Sequence, residues 1–334
     1  MKIFTSETIG NLTIKNRIVM APMCMYASDE EGEVKLFHES HYSARAFGGV
    51  GLIVQEATAV SKNGRISERD LGIWKDEHVV GLKRIVDSVH EAGAMIGIQL
   101  GHAGRKCGVK TEPFIVAPSP LAYSEHYQTP IALTVEDIKG IVNAFKVAAI
   151  RAKEAGYDLI ELHGAHGYLI NQFLSPLCNM RTDDYGGSLE KRARILVEIV
   201  DAIREVWDKP LTVRLSAVEF VPEGHQIEDT LQVLSLIKEK INGVNVTAGG
   251  VVSVRPDVYK GYQIPYAATI KKAGYKVIGG GFIKEVDYIE QILQENKVDF
   301  VFLGRELLLN PYFVLKIAKN EAPEFMHKSY ERGW

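Results

Sequence analysis

Cysteine is scarce. Only Cys24, Cys107 and Cys178 occur in 334 residues, far apart and without a C-x-x-C pair, a pattern that argues against zinc, an iron–sulfur cluster or a disulfide framework. Long apolar runs are missing too. None approaches the roughly 20 residues of a membrane span, and the opening Met1-Lys-Ile-Phe-Thr-Ser-Glu7 has no apolar signal core, so a cytoplasmic protein with no membrane partner is expected. Neither sign of charge accumulates. With 39 basic against 42 acidic residues the formal net charge is −3, and without a block of like charges nothing recommends a nucleic-acid partner. No G-x-G-x-x-G follows the first apolar strand, although a dinucleotide-binding doubly wound fold requires one there.

What the chain does have is a repeat of buried strands and amphipathic helices. Eight short apolar runs recur: Arg17 to Met23, Val50 to Ala57, Met95 to Leu100, Tyr157 to Leu162, Leu211 to Ser216, Gly243 to Thr247, Tyr275 to Ile278 and Asp299 to Leu303. Continuous rather than alternating apolarity means burial on both faces, hence a parallel sheet covered by helices. Stretches such as Asp76 to Ala92, Val135 to Ala155, Ser188 to Val206, Ile227 to Ile241 and Lys284 to Glu295 carry apolar residues three and four apart and supply those helices. Eight such units without a linker predict one α/β domain over residues 1–334, a (β/α)8 TIM barrel, with a doubly wound sheet as the alternative. Two segments stand outside the repeat. Thr8 to Lys15 alternates around Gly10-Asn11 and reads as a short N-terminal hairpin closing the barrel floor. Gly101 to Thr134 contains Pro113, Pro118, Pro120 and Pro130 and reads as a long lid loop after strand three, at the catalytic end.

The chemistry is expected where strands end. Strand four runs out into Glu161-Leu-His-Gly-Ala-His-Gly-Tyr168, and imidazole and phenol are groups that hold a developing anion and deliver a proton near neutral pH. His163 and His166 could instead form a structural pair, or join Glu161 on a metal, but no further His/Cys/Asp cluster has the spacing for a third and fourth ligand. No metal is expected. After strand seven comes Gly279-Gly280-Gly281 and after strand eight Gly304-Arg305. Freed backbone amides with a guanidinium fork make a phosphate cradle, and the bland reading of the glycines is a tight strand-to-helix turn. Arg214 lies inside an apolar strand, where a fixed charge is costly unless an anion or strong acceptor meets it. That partner is either a ligand or a carboxylate such as Glu161. Gln99 is a buried amide able to donate and accept along one edge, or to serve a core hydrogen bond.

Several of these motifs are found together elsewhere. Ala21-Pro-Met-Cys-Met-Tyr26, Ile98-Gln-Leu-Gly-His-Ala-Gly-Arg-Lys106, His163-Gly-Ala-His-Gly-Tyr-Leu169, Phe173-Leu-Ser-Pro176 and Arg181-Thr-Asp-Asp-Tyr-Gly-Gly-Ser188 resemble, in order and from end to end, the Old Yellow Enzyme family of FMN-dependent ene-reductases. Cys24 with Tyr26, and the closing Tyr330-Glu-Arg-Gly-Trp334, resemble its bacterial xenobiotic-reductase branch of NADPH dehydrogenases. The resemblance implies tightly bound, non-covalent FMN, NADPH as hydride donor, and reduction of the activated C=C bond of electrophilic alkenes, namely α,β-unsaturated carbonyl or nitro compounds. It implies that Ala21, Pro22, Met23, Cys24 and Ala57 line the flavin ring, that Gln99 and Arg214 bind its pyrimidine edge, and that Gly280, Gly281, Gly304 and Arg305 hold its phosphate.

By the same resemblance His163 and His166 bind the substrate oxygen, Tyr168 supplies the proton, and Tyr26 and Lys106 shape the substrate side. Cys24 can be read as an inert thiol, a nucleophile or a redox-tuning neighbour of the flavin, and the family context favours tuning. The tail over residues 322–334 is expected to reach a neighbouring subunit of a homodimer or homotetramer and to donate Arg332 to its substrate pocket. Where relatives often carry His-Ala-Ala-His this chain has His163-Gly-Ala-His166, and Gly164 is expected to loosen the loop slightly. A flavin-free barrel lyase and a flavin-binding protein without turnover are the competing readings.

Overall fold

The computed structural model describes residues 1–254 and 256–333, without the side chain of Glu331. Its eight central strands are β1 Ile18–Met20, β2 Leu52–Ala59, β3 Met95–Gly101, β4 Leu159–Gly164, β5 Leu211–Ser216, β6 Gly243–Thr247, β7 Val277–Gly279 and β8 Phe300–Leu303. Every neighbouring pair is parallel, and β1 pairs with both β2 and β8, so the sheet closes on itself. That closure rules out the doubly wound alternative. Each predicted apolar run overlaps one strand.

A helix returns after each strand: α1 Leu36–Phe47, α2 His78–Glu91, α3 Val135–Ala155, α4 Leu189–Arg204, α5 Ile227–Ile237, α6 Ile264–Lys272, α7 Val286–Gln294 and α8 Phe313–Glu321. Local chemistry sets where they begin. Thr134 and Asp137 form a capping box at the start of α3, and the Ser188 side chain caps α4, satisfying amide groups that have no partner inside the helix. Their apolar faces pack on the outside of the barrel, with Ile138, Ile141 and Phe145 of α3 and Ile195, Leu196 and Ile199 of α4 in one cluster.

The barrel floor is closed as expected. Glu7–Ile9 pairs antiparallel with Leu12–Ile14 across Gly10-Asn11, and Gly10 takes a left-handed φ of 57° at the first loop position, which a tight hairpin of this kind asks of glycine. Ile9 and Ile14 are wholly buried and join Val19, Leu52, Val54, Leu159, Ile278 and Phe300 in a second cluster inside the barrel. The lid after β3 is tied down. Val116–Ala117 pairs with Ile131–Ala132, Arg181 donates to the carbonyls of Pro118 and Leu133, and Arg105 donates to those of Leu121 and Val251.

One irregularity bears on the site. Between Gln55 and Ala57 the register of β2 against β3 shifts by one residue, so Ala57 rather than Glu56 stands beside Gln99. Such a bulge re-aims side chains. Glu56 is left wholly buried outside the barrel interior, against α1, where its carboxylate accepts from Tyr42 Oη at 3.0 Å and from the Met25 amide at 2.8 Å.

Burial pushes the Glu56 carboxyl up to about 7 against the lowering effect of those bonds. Folded protein therefore retains a proton here that the unfolded chain has lost, and the contribution of this group to stability disappears as pH rises from about 4.5 through about 7. Glu56→Gln should gain on the wild type across that window, by on the order of 3 kcal/mol in the limit of a single uncoupled group. Melting temperatures of both proteins at pH 5 and pH 8 measure it, and a constant difference between them would contradict the assignment.

Candidate active site

At the end of β4 the backbone turns through two left-handed residues, His166 at φ 58° and Gly167 at φ 74°. For a residue with a side chain that conformation is strained. Three bonds hold it: His166 N donates to Ser216 Oγ at 3.0 Å, Gly167 N donates to Asn171 Oδ1 at 2.7 Å, and Lys106 Nζ donates to the His166 carbonyl at 2.8 Å. Gly167 is forced, since a Cβ there would lie 2.2 Å from the Gly250 carbonyl oxygen. Gly164 corrects an expectation. Instead of loosening the loop it is the last residue of β4, paired with Leu215, where a Cβ would meet Leu215 Cδ2 at 2.8 Å and the Arg214 carbonyl oxygen at 3.0 Å. The position is tightly packed, and a side chain there would have to displace the end of Leu215.

The turn brings three rings together. His163 and His166 stand edge-on at 5.2 Å between ring centroids, and Tyr168 lies 4.8 Å from His163. His166 Nε2 is 3.0 Å from Thr247 Oγ1, while His163 Nδ1 is buried with no hydrogen-bond partner. Burial, and after it the charge of Arg214, presses both imidazoles well below the usual histidine range. They are neutral at physiological pH. Burial raises the Tyr168 phenol well above its ordinary value, with Cys24 and Tyr26 close enough to contribute, so the phenol keeps its proton. Lys106 Nζ sits between the Tyr123 and Tyr168 rings, 4.5 and 5.1 Å from their centroids, and burial lowers it to about 8.

Beside these rings opens a cleft of about 520 Å³ lined by His166, Arg214, Thr247, Gly281, Gly304 and Arg305, among others. On the strands beside Arg214 lies a layer of paired polar groups. Gln99 Nε2 donates to Glu161 Oε1 at 2.8 Å, and Asn245 Nδ2 donates to Glu161 Oε2 at 2.8 Å. Arg214 lies over the Phe302 ring at 5.1 Å and feels the Glu161 charge, yet forms no ion pair with it within 4 Å among the described residues, and its Nε is buried without a partner. Gln263 Oε1 is likewise unpartnered. Unsatisfied buried polar groups are costly unless a ligand meets them.

At the far side of the cleft close protein packing calls for glycine. A Cβ on Gly280 would lie 2.6 Å from the Phe302 carbonyl oxygen, and one on Gly281, at φ 108°, would lie 3.0 Å from Gln263 Oε1. The Arg305 guanidinium rests over Phe282 at 4.1 Å. A bare turn needs none of the orphaned donors and acceptors beside it. The whole set fits a flat polar ring carrying a phosphate, as FMN does.

Most of the residues singled out from the sequence therefore share the C-terminal face of the barrel. Ala21 N donates to the Leu303 carbonyl at 2.9 Å and fixes the start of the Pro22-Met23-Cys24 segment, with Met23 Sδ 3.3 Å from where a Gly304 Cβ would lie. Ala57 lines a small pocket with His163 and Tyr168. Cys24 is half-buried, and burial pushes its thiol well up. Tyr26 is exposed at the rim with φ 53°. Arg332 does not join them. Its segment Lys328–Gly333 contains Tyr330, which packs on Phe47 at the end of α1 and on Tyr312. Because α1 runs back toward the floor, this is the end of the barrel away from the rings. Trp334 lies outside the described residues.

Sequence reasoning did not name Thr247, Asn245, Gln263 or Ser216. Gln263 precedes α6, where Pro265 in the first turn is a helix-start signal that would have drawn attention to it. For the others the signal is their place at a strand end, as for Thr247 and Ser216, or two residues before it, as for Asn245. Among the described residues no three His, Cys, Asp or Glu side chains are grouped to hold a metal ion, and no helix is long and apolar enough to cross a membrane.

The chain is similar in sequence and fold to known proteins. A family model described as the NADH:flavin oxidoreductase / NADH oxidase family matches residues 2–324. An NADPH dehydrogenase of Geobacillus sp. (strain WCH70) is 52% identical over 99% of this chain and 98% of its own, and one of Bacillus subtilis (strain 168) is 47% identical over 100% and 99%. Among solved structures, morphinone reductase in complex with tetrahydroNAD is similar at TM-score 0.82 and 28% identity, covering 100% of this chain and 96% of that one. A 2-naphthoyl-CoA reductase complex gives TM-score 0.91 at 27% identity over 97% of this chain, which spans 53% of that longer one. The chain belongs to the NADH:flavin oxidoreductase / NADH oxidase family, and is an FMN-dependent oxidoreductase of the Old Yellow Enzyme kind.

Proposed function

We propose that this protein is an NADPH dehydrogenase acting as an ene-reductase on α,β-unsaturated carbonyl or nitro compounds. The observation that carries the reading is the pair of neutral, buried imidazoles of His163 and His166 beside a protonated Tyr168, at the mouth of a cleft that fits FMN. Bound there, FMN supplies the chemistry of accepting a hydride from a nicotinamide and passing one to an activated alkene.

The protein's part is orientation, electrostatics and a proton. Ala21, Pro22, Met23, Cys24 and Ala57 would form the wall against the ring, Gln99 and Arg214 its polar edge, and Gly280, Gly281, Gly304 and Arg305 its phosphate seat. His163 and His166 can each donate one N–H to a carbonyl or nitro oxygen, drawing electron density from the double bond as negative charge develops on that oxygen. Neutral rings suit this better than imidazolium, because they bind the carboxamide of a nicotinamide and the oxygen of an alkene acceptor alike. Tyr168 Oη then gives its proton to the α-carbon. Burial keeps that proton in place until a carbanionic centre is present, and Lys106, bonded to the His166 and Gly250 carbonyls, holds the histidine loop and the Tyr168 ring in position.

The domain is read as one FMN-binding barrel whose residues 322–334 serve a neighbouring subunit. Two features support this: Arg332 is exposed on a segment packed away from its own site, and the rim of the site leaves Tyr26, Phe37 and Leu309 exposed at 51%, 44% and 88%. An exposed apolar rim of this kind is suited to a partner.

Anaerobic addition of NADPH to the yellow protein should bleach it, and an α,β-unsaturated ketone such as cyclohexenone should restore the colour. Failure of the second step alone would leave a flavin protein without this activity. Tyr168→Phe should bleach at the wild-type rate but reoxidise about 10²- to 10⁴-fold more slowly, and equal reoxidation rates in stopped flow would remove Tyr168 as the acid. Deleting residues 330–334 should raise KM for the ketone by about tenfold, the loss of one charge-assisted hydrogen bond, without releasing FMN. Unchanged KM would contradict the shared site.

A further inference from the structure

The side-chain amide of Gln99 can face two ways, and a neighbour decides between them. Its Nε2 is committed to Glu161 Oε1, while the other carboxylate oxygen takes Asn245 Nδ2. Reversing either amide would set a carbonyl oxygen against a carboxylate. Strand pairing builds the arrangement, since Gln99 stands opposite Glu161 across β3 and β4, and Asn245 opposite Arg214 across β5 and β6. Glu161 is 0% exposed, and burial raises its carboxyl, while the Arg214 charge and the two amides that donate to its oxygens work the other way and favour the charged form. Such a charge is retained only where another charge or several donors meet it.

We propose that Glu161 is a positioning residue for the flavin: it fixes Gln99 with its carbonyl oxygen free for the ligand, and it balances the Arg214 charge beneath the cleft. The inference rests on the FMN reading of the cleft. The pyrimidine edge of a flavin offers one N–H between two carbonyl oxygens. An amide locked by Glu161 presents the acceptor for that N–H, and Arg214, whose Nε has no protein partner, presents donors.

Hydrogen bonding alone does not demand a carboxylate at this position. Asn245 Oδ1 is buried and unpartnered, so a glutamine at 161 could take the Gln99 N–H on its oxygen and give its own N–H to a reversed Asn245. Both bonds would survive and only the negative charge would go. The charge therefore has a separate role, which is electrostatic. Reduction of a flavin adds negative charge to the ring, Arg214 favours it, and Glu161 opposes it, so the pair sets how readily the cofactor is reduced.

Two variants separate the two roles, read by fluorescence titration of apoprotein with FMN and by dye equilibration of the flavin potential. Glu161→Gln should bind FMN within about threefold of wild type while its two-electron potential rises by a tenfold shift in the reduction equilibrium, about 30 mV. Glu161→Met, which leaves Gln99 without its acceptor, should weaken FMN binding by about tenfold to hundredfold. A merely structural Glu161 would lower the melting temperature of both variants and leave affinity and potential at wild-type values, which overturns the proposal. Should Glu161→Met fail to fold, the potential of Glu161→Gln decides alone, an unchanged or lower value being against it. Wild-type apoprotein that takes up no FMN would overturn the flavin reading and this inference together, whereas wild-type binding with unaltered variants would overturn only the inference.

Discussion

A guanidinium inside the barrel is the constraint from which much of this molecule follows. Arg214 is 6% exposed, cannot shed its proton at any physiological pH, and points into the one region where strands β3 to β6 carry polar side chains. Its charge helps keep the two histidines neutral and opposes the rise that burial imposes on the Glu161 carboxyl. In a low-dielectric interior those effects reach several ångströms further than they would in water. The C-terminal half of the barrel is thus an electrostatic unit with donors to spare, and the hydrophobic floor beneath it insulates that unit from solvent.

The floor and the rim obey different rules. Below, Ile9, Ile14, Leu52, Val54 and Phe300 fill the interior with ordinary close packing. Above, Tyr26, His166, Phe220 and Phe282 all take left-handed φ values, a conformation worth on the order of 1–3 kcal/mol of strain apiece. Regular strands and helix caps over-determine those four positions. Stability is concentrated at one end so that geometry can be held at the other.

Much of the scaffold was legible in the sequence because its signals are local. Eight apolar runs, a Gly10-Asn11 hairpin and amphipathic helices each announce themselves locally, and only closure of the sheet had to be inferred from their number. The His163, His166, Tyr168 cluster was legible for the same reason, lying on one strand end. Thr247, Asn245 and Ser216 were not, because each acquires its role from a partner 50 to 84 residues away and none is unusual for its strand. Gly164 shows the reverse error: a glycine read as loop freedom is a strand residue at a tight contact of β4 with β5.

The bulge in β2 carries a consequence for the whole barrel wall. Along this strand Leu52 and Val54 look inward beneath the shift and Ala57 looks inward above it, so the inside–outside alternation changes phase halfway up. The strand therefore works as two short sentences read in different frames. Side-chain changes in the lower frame can drift with the packing of the floor, and those in the upper frame with the cofactor and its ligands, without either half dictating the alternation of the other. A fold whose walls contain such a phase boundary can keep one foundation under many chemistries.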